Sequence, residues 1–251
     1  MSGAAGPPLA DPVAEARRLI ALAGAHGITM RALGGVAVIL QSPGGQPRLS
    51  RRVKDIDLAV GQGAGRPAAR LLARSGYLAD EMFNALRGSS RLHFRDPANG
   101  RDLDVFVGQF SMCHAIPLTA RLDRDPLTVP LEELLLTKLQ IVELTANDQQ
   151  DIYNLLLAHE VGEQEAAITA GFIAALCARD WGLWRTCTLT IERSRANLER
   201  SPLSADERRL VAVRLDALRD RIDAEPKAVR WRARSRLGDL VRWYDEPEEE
   251  R

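Results

Sequence analysis

Three features of this 251-residue chain have the residue types and spacing for chemistry: Gly34-Gly35 between two apolar stretches, Asp55-Ile56-Asp57, and Asp104 inside Leu103 to Val107 (LDVFV). A hard divalent cation takes oxygen ligands, and carboxylates at alternate positions of a strand reach the same side at its repeat of about 6 to 7 Å. A third carboxylate from a neighbouring strand would complete a clamp for two ions, one activating an attacking hydroxyl and one stabilising a leaving pyrophosphate. The glycines let backbone approach a triphosphate, and a helix opening behind them offers N–H groups and the positive end of its dipole. Asp102 competes with Asp104, since both lie on one strand face. Asp104 is favoured because Leu103 and Val105 flank it and Phe106 and Val107 follow, and an acid among buried neighbours needs a partner that a metal can supply.

Other polar residues carry weaker signals. Lys138 interrupts an apolar helical pattern of Leu134, Leu135, Leu139 and Val142, and on that pattern alone its ammonium would snorkel to water. Arg48, Arg51, Arg52 and Lys54 precede the Asp-x-Asp, where a solvated loop and a contact to triphosphate or acceptor are both open readings. Cys113-His114 lacks the second ligand pair a zinc site needs. His26, His93 and His159 accompany no nucleophile pattern such as GxSxG and are assigned no role.

The elements that must position these residues follow from periodicity. Helical spacing predicts a helix over 12–25 with Asp11 as its N-cap and Gly27 beyond its end. A short strand over 28–33 runs into the glycines and a buried helix opening at 36–40. Residues 42–52 (SPGGQPRLSRR) are loop, and 53–60 alternates as a strand that sets Asp55 and Asp57 on one face. A helix over 66–74 precedes a hairpin with arms 91–94 and 102–107 about the turn PANG. Helical patterns cover 131–144 and 148–159, and no convincing strand appears afterwards. The expected fold class is α+β, an N-terminal mixed β-sheet flanked by helices followed by an all-helical C-terminal region. The expected divisions are a flexible tail (1–11), a core (12–130), a helical domain (131–244) and an acidic tail (245–251).

Composition bounds the function. Hydrophobic residues make up 45% and charged residues 27%, which excludes collagen-like, low-complexity and wholly disordered classes. Lys plus Arg and Asp plus Glu both total 34, so a globally basic nucleic-acid coat protein is excluded, though a local basic patch is not. No run approaches the roughly 18 apolar residues of a membrane span. MSGAAGPPLADP has neither basic residues nor an apolar segment and reads as a frayed tail rather than a signal peptide. Three cysteines without a CxxC fit a reducing cytoplasm.

Taken together, Leu33-Gly34-Gly35, Asp55-Ile56-Asp57 and Asp104 resemble the motif of the DNA polymerase beta-like nucleotidyltransferase superfamily. The stretch Leu134 to Leu156 also resembles the lysine and acidic helix of bacterial AbiEii/MenT-type nucleotidyltransferases, often toxins, at Lys138, Asp148 and Asp151. Twenty positions separate Gly35 from Asp55, more than is usual in the superfamily, and the added length falls in the Gly/Pro/Arg loop. Asn147-Asp148 stands where that family has a basic residue before Asp.

The resemblance implies an enzyme that moves a nucleoside monophosphate from an NTP to an acceptor hydroxyl with Mg2+ or Mn2+. Asp55, Asp57 and Asp104 would be catalytic and metal-binding, and Gly34, Gly35 and Lys138 nucleotide-binding. The implied partners are the NTP, an acceptor that includes RNA among its candidates, and an antitoxin protein. A small-molecule, aminoglycoside-like adenylyltransferase and a non-catalytic nucleotide- or protein-binding module on the same fold are the alternatives. For RNA, the sequence offers 227–244 as a basic helix with six cations against Asp239, an apolar stripe through Val229, Ala233, Leu237, Leu240, Val241 and Tyr244, and Trp231 and Trp243 to stack on bases.

Overall fold

The computed structural model describes residues 6–50, 52–164 and 166–246. Arg51, one of the loop cations above, lies outside the described residues, as do the ends of both expected tails, 1–5 and 247–251. The described chain divides into two compact units. One comprises the residues up to Ser111 together with Ala115–Pro130, and the other Met112–His114 together with the residues from Leu131 onward.

The first unit runs α1 (Pro12–Ala25), β1 (Met30–Leu33), α2 (Gly34–Gln41), β2 (Ile56–Val60), α3 (Gly65–Arg74), β3 (Leu78–Ala79), α4 (Glu81–Arg87), β4 (Arg91–Asp96), β5 (Arg101–Val107), β6 (Gln109–Ser111) and β7 (Ala115–Pro117). Asp11 caps α1 by accepting from the Ala14 N–H at 2.7 Å, an interaction worth about 1 kcal/mol. Ala16, Leu19, Ile20 and Ala23 form the buried stripe of α1, and Gly27, at φ +71°, turns the chain out of it.

Five strands form one mixed sheet in the order β1-β2-β5-β4-β3, with β2 and β5 parallel and the other pairs antiparallel. Its two faces differ because side chains alternate. Ile56, Leu58, Leu92, Phe94, Leu103 and Val105 are buried on one face. Asp57, Arg91, His93, Asp102 and Asp104 share the other, and of these only Asp104 is buried. β6 and β7 form a separate antiparallel pair.

β2 is shorter than the strand expected over 53–60. Its first pairing to β5 is Ile56 with Leu103, and its ladder to β1 stops at Leu33 with Asp57 because Gly34 turns β1 into α2. Asp55 therefore lies in a bend ahead of β2, exposed, and not in a strand alternating with Asp57.

In the second unit come α5 (Leu131–Leu139), α6 (Ala146–Ala158), β8 (Val161–Gly162), β9 (Ile168–Thr169), α7 (Ala170–Arg179), α8 (Trp181–Asn197), α9 (Ala205–Ala224) and α10 (Val229–Ser235). The expected succession of helices holds except for β8 and β9, a parallel pair two residues long on each side. α5 ends five residues before the expected Leu144. The Ile141 carbonyl accepts from the Thr190 hydroxyl at 3.1 Å and the Val142 carbonyl from Arg193 at 2.6 Å, so α8 side chains replace the next helical turn. α9 has a full capping box between Ser204 and Glu207, and it buries Val211, Leu215, Leu218 and Ile222 at helical spacing. No helix among the described residues is long and apolar enough to cross a membrane.

Residues 8–10, read above as part of a loose tail, are tied down. Arg101 Nη2 donates to the Leu9 carbonyl at 2.7 Å and to Asp96 Oδ2 at 2.6 Å, and the Leu9 N–H donates to Glu15 at 3.0 Å. Glu15, fully buried, also accepts from Arg18 at 2.7 Å and from the Tyr77 hydroxyl at 2.7 Å. Burial alone would raise the Glu15 carboxyl. The hydrogen bonds from Arg18, Leu9 and Tyr77 overcome it and hold the group below the ordinary 4.5. A depressed carboxylate contributes stability that is present above the unfolded value and lost as pH falls through the folded one. Glu15→Gln is expected to lower the unfolding free energy at neutral pH by about 2 kcal/mol. It should also flatten the acid limb of stability below pH 4.5, as read by denaturant titrations across that range.

Candidate functional site

The residues that the sequence singles out in the first unit meet along one row of the sheet. Leu33 pairs with Asp57, Asp57 with Asp104 on the adjacent parallel strand, and Asp104 with His93 across the hairpin. The two carboxylates therefore stand side by side on the polar face, at the interstrand distance of about 4.8 Å between backbones. Asp57 is half-buried and Asp104 buried. Gly34 follows Leu33 directly and opens α2, whose N-cap residue supplies no side-chain cap. A Cβ on Gly34 would lie 2.0 Å from Asp57 Oδ2, and Gly34 has φ +60°. Both the conformation and the close approach of the carboxylate demand glycine there. Gly35 is buried in the first turn of α2.

The sequence reading missed one residue of this row, His93, and one beside it on the same face, Arg91. Arg91 Nε donates to Asp104 Oδ1 at 3.0 Å and Arg91 Nη2 to Oδ2 at 2.7 Å, a bidentate pair with both side chains largely buried. His93 Nδ1 lies 3.1 Å from Asp104 Oδ1, within donating distance, and its Nε2 is 3.9 Å from Asp102 Oδ1. The signal was present in the hairpin. Once the PANG turn pairs Asp96 with Arg101, counting back sets His93 opposite Asp104 and puts Arg91 two residues along on the same face. The Arg91 guanidinium also packs against the rings of Phe83 and Phe106, at 5.7 and 5.4 Å from their centroids.

The donor set suits a hard divalent cation, since Asp57 and Asp104 present carboxylate oxygens side by side and the missing Cβ of Gly34 leaves a cradle against Asp57. No three His, Cys, Asp or Glu side chains among the described residues already stand in an arrangement that could hold a metal. Both oxygens of Asp104 accept from Arg91.

In the second unit, Lys138, Asp148 and Asp151 do come together. The Lys138 ammonium is not snorkelling but buried, 3.0 Å from Asp148 Oδ1 and 3.1 Å from Asp151 Oδ2. Thr145 caps α6 by accepting from the Asp148 N–H and donates to the Asp148 carboxylate at 2.6 Å, which holds that acid toward the lysine. Burial alone would lower the Lys138 pKa, but Asp151 and Asp148 more than offset it and raise the group above its ordinary 10.5. Cys113 and His114 are buried, with His114 Nε2 2.8 Å from the Thr186 hydroxyl, a packing role rather than a metal site.

The expected basic helix over 227–244 is not continuous. α10 ends at Ser235, Gly238 takes φ +52°, and the chain is extended at Val241. The proposed apolar stripe faces solvent, with Val229 83% and Leu240 92% exposed. Four of the six cations are engaged with protein acceptors: Lys227 at the carbonyl end of α9, Arg230 at the Arg179 carbonyl, Arg234 at Gly238 and Val241, and Arg242 at Glu246. Trp231 packs edge-on against Trp184, and Trp243 against Trp181 while donating to Thr186. These indoles are used for packing on α8.

No family model matches the sequence, and no curated protein does. Among solved structures, the crystal structure of an antigenic nucleotidyltransferase-like protein from Paracoccidioides brasiliensis is similar at 16% identity and a TM-score of 0.42, over 88% of this chain and 97% of that one. At that identity and score, function has to be read from this chain's own side chains.

Gly34→Ala is expected to destabilise the first unit by more than about 1 kcal/mol through its positive φ and the collision with Asp57. In an Asp57→Ala background the collision part should vanish and the φ part remain, so a double-mutant cycle of unfolding free energies should show coupling between the two positions. For the second unit, Lys138→Met should cost about 3 kcal/mol or more by leaving two acids without their cation. The stability that Lys138 contributes should be complete below its ordinary 10.5 and decline as pH rises through the higher folded value. Alkaline unfolding of wild type and Lys138→Met would separate the two.

Proposed function

We propose that the first unit is a nucleotidyltransferase, joining the α-phosphoryl group of an NTP to an acceptor hydroxyl with release of pyrophosphate. The observation that supports this most is the row Gly34, Asp57, Asp104. It combines a glycine at the uncapped start of a helix with two carboxylates in register on parallel strands. Asp57 and Asp104, paired on adjacent strands, would hold Mg2+ or Mn2+. When bound, the ion would neutralise phosphate charge and sharpen the electrophilicity of the α-phosphorus.

The chain's own residues do the rest. Gly34 and Gly35 let the triphosphate approach the first N–H groups of α2, where the helix dipole favours negative charge. Asp57, seated against Gly34, has its oxygens fixed beside that phosphate track. Asp104 would orient the acceptor hydroxyl for in-line attack, in which the new O–P bond forms as the bond to pyrophosphate breaks and the hydroxyl proton passes to the Asp104 carboxylate. Lys138, bound within its own acid pair, keeps α5 and α6 together.

Purified protein incubated with each α-labelled NTP, Mg2+ or Mn2+, and total RNA, protein or aminoglycosides should transfer label to one acceptor class. Asp57→Asn should reduce that transfer by about a hundredfold or more. No transfer with any NTP and acceptor, or full activity in Asp57→Asn, would overturn the proposal.

A further inference from the structure

We infer that Arg91 is an internal counter-cation that occupies Asp104 until a divalent ion displaces it, so that Arg91 sets the concentration at which the site loads. The inference deepens the nucleotidyl-transfer reading and rests on it.

Three observations carry it. Both oxygens of Asp104 accept from the one guanidinium, at 3.0 and 2.7 Å, and Oδ1 is also 3.1 Å from His93 Nδ1. A divalent ion needs carboxylate oxygen at about 2.0 to 2.6 Å and cannot share the Arg91 side of that group with two N–H donors. Asp57 stands beside Asp104 on the parallel strand, so the ion that would bridge them competes with Arg91 for the same acid. Finally, Phe83 and Phe106 fix the guanidinium from its flanks, and its β4 position opposite Phe106 keeps it one diagonal step from Asp104. Arg91 is thus held near the acid by packing that persists when the hydrogen bonds are exchanged. His93, directly opposite Asp104, keeps a second donor on the carboxylate during that exchange.

The test is a titration of the full chain with Mn2+ in the absence of nucleotide, reading free Mn2+ by electron paramagnetic resonance. Arg91→Gln should bind Mn2+ about tenfold more tightly than wild type, the order by which a unit charge a few ångström away shifts a carboxylate equilibrium. Arg91→Lys, which keeps the charge and loses the bidentate grip, should fall between them and serves if Arg91→Gln does not fold, as judged by thermal melts. Adding Asp104→Asn to either variant should erase its gain. Unchanged or weaker Mn2+ binding in the Arg91 variants overturns the inference, as does a gain that survives Asp104→Asn. If wild type transfers nucleotide while the Arg91 variants bind Mn2+ as wild type does, the counter-cation idea alone fails. If no protein binds Mn2+ and none transfers nucleotide, both readings fail.

Discussion

A strand displaced by one residue turns every side chain to the opposite face, so the polar face of the five-stranded sheet depends on pairing register. Leu33, Asp57, Asp104 and His93 occupy one row across four strands, and three separate devices fix it. The PANG turn sets β4 against β5, the apolar alternation of Ile56, Leu58, Leu103 and Val105 sets β2 against β5, and Gly34 ends β1 where any Cβ would collide with Asp57. A slip in any of them would bury the carboxylates among leucines and valines, at a cost that the remaining contacts could not offset. The packing of the apolar face thus positions the acids.

Four of the buried acids each meet a cation, and comparing them separates structural carboxylates from the candidate site. Glu15 meets Arg18, Asp96 meets Arg101, Asp151 meets Lys138 and Asp104 meets Arg91. The first two tie residues 8–10 and the hairpin turn into the fold, and their acids are shut off from solvent. Asp104 differs in its neighbour: a second carboxylate stands beside it on the parallel strand and a helix N-terminus opens one residue beyond the row. Position relative to other charges, more than burial or the strength of the ion pair, distinguishes it.

The sequence made Gly34, Asp57 and Asp104 legible because each depends on a local rule: glycine between strand and helix, a carboxylate interrupting an apolar alternation, an acid inside LDVFV. Asp55 obeyed the same alternation, but its placement was decided by where β1 stops, which is a property of the partner strand. Arg91 and His93 escaped because their role exists only across the hairpin, and it becomes readable after the turn register is counted rather than from residue type. Lys138 looked amphipathic because its partners lie on α6, a helix away, and an i, i+4 reading of α5 cannot see them. The segment 227–244 misled for the opposite reason. Its stripe was periodic, but Gly238 and the acceptors claimed by its arginines outweighed periodicity.

Folding brings Asp57 and Asp104 together on adjacent strands that are apart in the unfolded chain. A sheet that collected them with no cation would lose stability in proportion to how well it prepared the site. Arg91 removes that conflict, because its charge is supplied by the same hairpin that brings Asp104 into register and is desolvated along with it. The guanidinium is a broad, weakly hydrated cation that pairs through hydrogen bonds, whereas a divalent ion is compact and binds oxygen directly. Under the proposed exchange, the protein folds around the soft partner and gives up the acid to the hard one. That requires the pair to remain reachable, and Arg91 and Asp104 do retain slight exposure, in contrast to the fully enclosed Glu15 and Asp96.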